Sequence, residues 1–231
     1  MVFYIKHCPL TCGSRRSPLE KHLSTRNVKD PVWITDYPKN DPYVIWMHNR
    51  LGITMNLGFT SGLVKTLETL RMFVLSNEKS AFFADDDVVL VKNWDSFPIP
   101  DRPYVNMSVG VNFSILPDGK QRIIGNNGGC ELMYMTKEFA QYMLDNVDAR
   151  QPIDVVIHGL MKHAKTQLVC VPVAQQTSIL ELESSSLGDS GTPSWIEFVR
   201  NFKPTGIRYE ELRHESGFFD GNDASIPRRA I

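Results

Sequence analysis

No apolar run in this sequence approaches the ~20 residues that cross a bilayer, so no membrane-spanning helix is expected. An excess of either charge is also missing. The 25 basic and 26 acidic residues leave a formal net charge of −1. That balance gives no electrostatic case for nucleic acid or an anionic membrane as the main partner. Cysteine is sparse, with four in 231 residues. Cys8 and Cys12 have a spacing seen in some zinc sites, and His7 is adjacent. No second ligand pair follows, so structural zinc is not expected. Free thiols in a reducing compartment fit better, which implies a cytoplasmic location. Met1-Val2-Phe3-Tyr4-Ile5 is too short for a signal-peptide core and runs into charge. Only a longer parent chain would direct it into a secretory route. No internal repeat is visible. What remains is an ordinary globular composition, 42% hydrophobic and 22% charged, long enough to bury a substantial core.

The most informative stretch is Ala81-Phe82-Phe83-Ala84-Asp85-Asp86-Asp87-Val88-Val89-Leu90-Val91. Two short runs rich in aromatic and β-branched residues enclose three carboxylates, and each run reads as a buried strand. Three adjacent acids inside a strand would be very costly to bury unpaired. They are expected where the strand opens to solvent, in the crevice at the carboxyl ends of an α/β sheet, where ligands bind. In an extended chain Asp85 and Asp87 point the same way. Two hard oxygen ligands on one side suit Mn²⁺ or Mg²⁺ shared with substrate phosphates. The competing reading is an acidic turn that keeps a hairpin soluble.

Around that stretch the chain alternates. Val2-Phe3-Tyr4-Ile5 reads as a strand, and Cys8 to Ser14 as turn-rich. A polar helix follows from about Pro18 to Arg26, capped by Ser14 or Ser17, and Pro31 to Thr35 is a second strand. Strand, helix, strand at this spacing is a βαβ unit with parallel pairing. Arg15 and Arg16 either help neutralise a diphosphate or form a solvated helix start. Asp36 to Asn56 looks like a loop facing the site. Leu63, Val64, Leu67, Leu70, Val74 and Leu75 predict a long helix over Gly58 to about Ser76. Tyr104 to Leu116 reads as a strand, Pro117-Asp118-Gly119-Lys120 as a hairpin turn and Gln121 to Ile124 as the returning strand. In Gly125-Asn126-Asn127-Gly128-Gly129-Cys130 the glycines let backbone approach a ligand closely, unless this is an ordinary glycine-rich loop. A strand from Glu131 to Met135, a helix capped by Thr136, a helix opened by Asp154 and a strand Leu168 to Pro172 complete the pattern.

In this order the motifs resemble the GT-A type of nucleotide-sugar glycosyltransferase. More narrowly, they are similar to the lipooligosaccharide and procollagen galactosyltransferase family. The resemblance rests on a helix start near Gly58, the Asp85-Asp86-Asp87 strand end in place of the family's Glu-Asp-Asp, and Gly128-Gly129 leading through Tyr134 to Leu144. Pro152-Ile153-Asp154, and Pro172 near Gln175, complete it. It covers roughly residues 1–185. Lys65-Thr66 stands where the family commonly has Ser-His. The implied fold is a single GT-A (Rossmann-like) α/β domain over 1–215, with a mixed, mostly parallel central sheet flanked by helices. Residues 1–90 would be its nucleotide half, 91–215 its acceptor half, and 216–231 a tail or linker.

The implied activity is metal-dependent, inverting transfer of a hexose, with galactose favoured, from a UDP-sugar to a hydroxyl of a glycan acceptor. Mn²⁺ or Mg²⁺ would sit on Asp85 and Asp87, and Asp85 would also touch the donor. Asp86 would support the loop or touch the sugar. Ile5, Lys6 and His7 would lie against the nucleotide base, with Arg15, Gly128 and Gly129 as further donor contacts. Asp154 resembles the base position of Fringe-like transferases and would accept the acceptor's proton. The alternatives are a nucleotidyltransferase or metal-dependent phosphohydrolase, and a non-catalytic sugar-binding module of the same shape.

Overall fold

The computed structural model describes residues 1–90, 93–96, 100–108, 113–115, 121–123, 132–150, 170–176 and 205–219. Among them is a seven-stranded sheet in the order β2-β1-β3-β8-β5-β9-β4, and a separate hairpin, β6-β7. The strands are β1 (Val2–Lys6), β2 (Val32–Ile34), β3 (Ser80–Asp85), β4 (Val88–Leu90), β5 (Tyr104–Ser108), β6 (Phe113–Ile115), β7 (Gln121–Ile123), β8 (Leu132–Thr136) and β9 (Cys170–Gln176). β1 pairs in parallel with β2 and β3, and β5 with β9, while β8 and β4 run against their neighbours. The sheet is therefore mixed, with β1, β2, β3, β5 and β9 all running one way. Among the described residues no helix is long and apolar enough to cross a membrane.

Strand alternation sends successive side chains to opposite faces, and both faces of the central strands are covered. Phe3, Ile5, Phe82 and Ala84 pack with Leu19 and Leu23 of helix α2 (Arg16–Thr25). Tyr4, Ala81 and Phe83 face the other layer. That layer holds α3 (Pro42–Arg50), α4 (Leu57–Leu75), α5 (Lys137–Asn146) and α6 (Tyr209–Ser216). α4 begins where the Asn56 side chain accepts the Phe59 N–H at 3.1 Å, and α5 where Thr136 accepts that of Phe139 at 3.3 Å. Phe73 of α4 meets Phe83 edge-on, ring centroids 5.5 Å apart, and Tyr4 stacks on Phe83 at the same spacing. Each such fully buried ring contributes roughly 1.5–3 kcal/mol of burial.

Several local expectations are corrected. The turn-rich start is helical: α1 (Pro9–Cys12) runs through a 3₁₀ turn at Gly13–Arg15 into α2. Its polar residues still form a helix because Leu19 and Leu23 recur on one buried face. Neither Ser14 nor Ser17 caps it; Arg15 is the N-cap residue and makes no capping bond. The segment Asp36 to Asn56 is not a loop throughout, because Asp41 caps α3 by accepting the N–H groups of Tyr43 and Val44. Tyr104 to Leu116 is two strands, β5 and β6, and the β6-β7 hairpin lies outside the central sheet. What mixes the central sheet is β8 and β4. β9 continues past Pro172, and its last residues pair with β4, so that Gln176 lies opposite Val88. Of the expected tail, Phe218 and Phe219 pack against Tyr43, at 5.6 and 4.9 Å between ring centroids.

Candidate active site

The order β2-β1-β3 means that the chain leaves β1 toward one side and returns for β3 on the other. At such a reversal the connections diverge and leave a crevice at the carboxyl ends. Lys6 and His7 end β1 there, and Asp85 to Asp87 end β3. In this parallel pair Lys6 and Asp85 are register partners. Register partners project from the same face, here the α4 face that Tyr4 and Phe83 share two residues earlier. The result is an ion pair, Lys6 Nζ to Asp85 Oδ1 at 2.7 Å. Lys6 Nζ also donates to Thr66 Oγ1 of α4 at 3.2 Å.

One residue further along both chains the direction reverses. His7 and Asp86 lie toward the α2 layer, with His7 Nδ1 2.7 Å from Asp86 Oδ2. A carboxylate only accepts, so the His7 Nδ1–H is the donor. The same oxygen accepts the Cys8 N–H at 3.3 Å, and Asp86 Oδ1 accepts from Arg15 at 3.1 Å. Arg15 also lies 3.6 Å from Asp87 Oδ2. The extended-chain premise therefore fails at this point. Asp86 and Asp87 form a turn, and Arg15 gathers those two acids while Asp85 faces the other way. Asp86 and Asp87 are buried, whereas the Asp85 side chain is 37% exposed.

Two residues of α4 that sequence reasoning noted only as departures from the family complete the floor. Lys65 is 1% exposed. Its Nζ donates to the His7 carbonyl at 2.5 Å and lies 3.3 Å from Cys8 Sγ. An ammonium buried this deeply requires such partners, since an unpaired one would be strongly disfavoured. Its signal in the sequence is a lysine set among Leu63, Val64 and Leu67 on the buried face of an apolar helix. Trp33, on β2, was likewise unassigned; His7 meets its ring edge-on at 5.6 Å, and Arg16 covers it at 4.9 Å.

The remaining expected residues fall as follows. Ile5 is fully buried in the core with Phe82 and Ala84, so its side chain supports the sheet. Arg15 is 8% exposed and pairs with Asp86 and Asp87. Gly128, Gly129, Glu131 and Asp154 lie outside the described residues, as does the polar run from Ser184 to Gly191. Among the described residues no group of three or more His, Cys, Asp or Glu side chains converges as a metal site.

No family model matches the sequence, and no curated protein matches it. Solved structures that align with this chain include a glycosyltransferase involved in the glycosylation of the major capsid of PBCV-1. It is 10% identical, with a TM-score of 0.39, covering 76% of this chain and 92% of that one. Another is described as a glucose-1-phosphate thymidylyltransferase from Bacillus anthracis, in complex with a sucrose. It is 10% identical, with a TM-score of 0.34, covering 88% of this chain and 96% of that one.

Proposed function

We propose that this chain is a nucleotide-sugar-dependent glycosyltransferase of the GT-A type. In this reading it moves a hexose, galactose favoured, from UDP to a glycan hydroxyl with inversion, in the reducing cytoplasm. The observation that carries the reading is the juxtaposition of Lys6 and His7 with Asp85 to Asp87 at the carboxyl edge, where strand order reverses. A diphosphate with its counter-ions fits a place that holds both cationic and anionic side chains.

The chemistry of the site fits a hard divalent ion, Mn²⁺ or Mg²⁺, at the exposed Asp85 carboxylate, since such ions take oxygen ligands and complete their shells with phosphate and water. Asp85, the exposed one, is the proposed point of entry, and Asp87, held beside Arg15 on the other side of the turn, is proposed to join it by a rearrangement of that turn when the ion binds. Such an ion, when bound, supplies charge neutralisation for a leaving nucleoside diphosphate. The chain's own residues do the positioning. Arg15 and His7 hold Asp86, and through it the turn that presents Asp87. Lys65 ties down the His7 carbonyl, which fixes the β1–α1 corner. Lys6 offers a second positive charge to the diphosphate. Gly128 and Gly129 are proposed to admit the donor sugar close to backbone, and Asp154 to accept the proton of the attacking hydroxyl.

The test is calorimetry of UDP, UDP-galactose and other nucleotide sugars with and without Mn²⁺. The expected result is Mn²⁺-dependent binding that Asp85→Asn removes without loss of thermal stability. Binding of none of these nucleotides, or binding indifferent to Asp85, would overturn the reading.

A further inference from the structure

Asp85 and Asp86 are held by partners of different kinds. Arg15 and His7, which hold Asp86, are both nearly inaccessible, and Arg15 spans two acids with one planar group. Lys6 holds Asp85 through a compact ammonium on a flexible stem, and the carboxylate it touches is the exposed one. The pair is half-buried and opens to solvent on the Asp85 side, where a ligand can reach the carboxylate. Lys6 also has a second anchor. Thr66 donates its hydroxyl hydrogen to the Gly62 carbonyl at 2.9 Å, so its oxygen is oriented to accept from Lys6 at 3.2 Å. The ammonium therefore keeps a partner if it leaves Asp85.

We infer that Lys6 is an exchangeable counter-ion for Asp85: it holds that carboxylate while no divalent cation is present, and passes to the diphosphate when cation and nucleotide arrive together. The inference rests on the metal-dependent reading above. Its physical content is competition between two cations for one carboxylate. A metal ion on this carboxylate would stand close to the ammonium, which lies 2.7 Å from Oδ1, and the two positive charges repel. Binding of the cation alone would strand Lys6 next to a second positive charge. Binding of the diphosphate alone would leave Lys6 divided between two anions. Only joint binding pairs every charge, so Lys6 makes the two ligands cooperative, in the reciprocal sense that linkage requires.

The experiment is calorimetric titration of the full chain with Mn²⁺ alone, UDP alone and UDP in saturating Mn²⁺. It compares wild type, Lys6→Met, Lys6→Gln and Lys6→Arg, with circular dichroism to confirm folding. The two neutral variants have different stems, so either suffices if the other fails to fold. Loss of the ammonium is expected to tighten Mn²⁺ alone and weaken UDP alone, each by up to about fivefold, the scale of one such charge contact. Lys6→Arg should resemble wild type in both. Mn²⁺ affinity unchanged or lowered in the neutral variants, with Asp85→Ala still abolishing it, would overturn the exchange and leave the metal reading standing. Absence of Mn²⁺ binding in wild type even with UDP would overturn both.

Discussion

His7 and Asp86 are 79 positions apart, both buried, and joined at 2.7 Å. Their union fixes the corner where β1 ends to the turn where β3 ends. It also divides the acid triplet. Asp86 belongs to the architecture, and Asp85 to the open side of the site.

That division predicts unequal stability losses. Asp86→Ala removes the acceptor of His7 and of the Cys8 N–H and leaves Arg15 with Asp87 as its remaining carboxylate in the turn, and removal of one partner of a buried pair costs about 3–5 kcal/mol. Asp85→Ala removes a partly exposed pair with Lys6, worth about 0–1 kcal/mol. Urea denaturation of the two variants checks this. Equal losses would mean that the triplet is not divided as described.

The sheet was legible in the sequence where burial imposes a pattern. Phe82, Phe83 and Ala84 had to be a strand buried on both faces, and the three acids after them had to lie at its open end. Strand, helix, strand at the start had to pair in parallel. What could not be read was the partner of each acid. Lys6 meets Asp85 through strand register, and Lys65 reaches His7 through the placement of α4 over β1. Both depend on tertiary packing between segments some 60 to 80 positions apart. The same limit hid α3, whose apolar residues are interspersed with Trp46, His48 and Asn49 and whose start depends on the Asp41 cap. It also hid the order of the outer strands, since β4 takes its place in the sheet by pairing with the distant β9.

For the proposed base, Asp154→Asn keeps the shape and hydrogen-bonding capacity of the side chain but removes the proton acceptor. Sugar transfer should fall by roughly 10²-fold or more, with donor binding nearly unchanged. A residue that only caps a helix would instead cost about 1 kcal/mol of stability and leave transfer alone. Measuring transfer rate and melting temperature on the one variant separates these outcomes, and near-normal transfer removes Asp154 from the mechanism.

A third prediction concerns how the far end of the described chain is held. Glu68 of α4 is buried and accepts from the Tyr209 hydroxyl at 2.8 Å, from the Tyr37 hydroxyl at 3.3 Å, and from Arg213 at 2.5 Å. Burial first, and the Glu68 charge second, push the Tyr209 hydroxyl well above its usual range, so it remains a donor. Glu68→Gln keeps an acceptor for the tyrosines but leaves the Arg213 cation without its anion, at a cost of about 3 kcal/mol or more. Pairing it with Arg213→Met should recover most of that loss, because an apolar replacement of a buried pair is close to neutral. A double-mutant cycle measures the coupling. Strictly additive losses would show that α6 is held by its apolar contacts, Leu212 and Tyr209, and not by this carboxylate.

The last prediction concerns pH and the joint between α2 and β4. His22 Nε2 accepts the Leu90 N–H at 2.9 Å, which only a neutral imidazole does. Burial first, and then the nearby Arg26 guanidinium, lower the His22 pKa from its ordinary 6.5. The sign follows from proton counting. Below about pH 6.5 the unfolded chain takes up a proton here that the folded chain resists, so stability falls as pH falls. The contribution is complete above 6.5 and lost on passing down through the lowered folded value. His22→Gln retains a side-chain acceptor and does not titrate. The difference in unfolding free energy between wild type and this variant should therefore be flat from pH 8 to 7 and should shift against wild type below 6.5. An imidazole titration midpoint for His22 below 6.5, read by NMR, is the companion measurement. A midpoint at or above 6.5, with parallel stability curves for the two proteins, would show that the imidazole does not depend on its neutral form to hold Leu90.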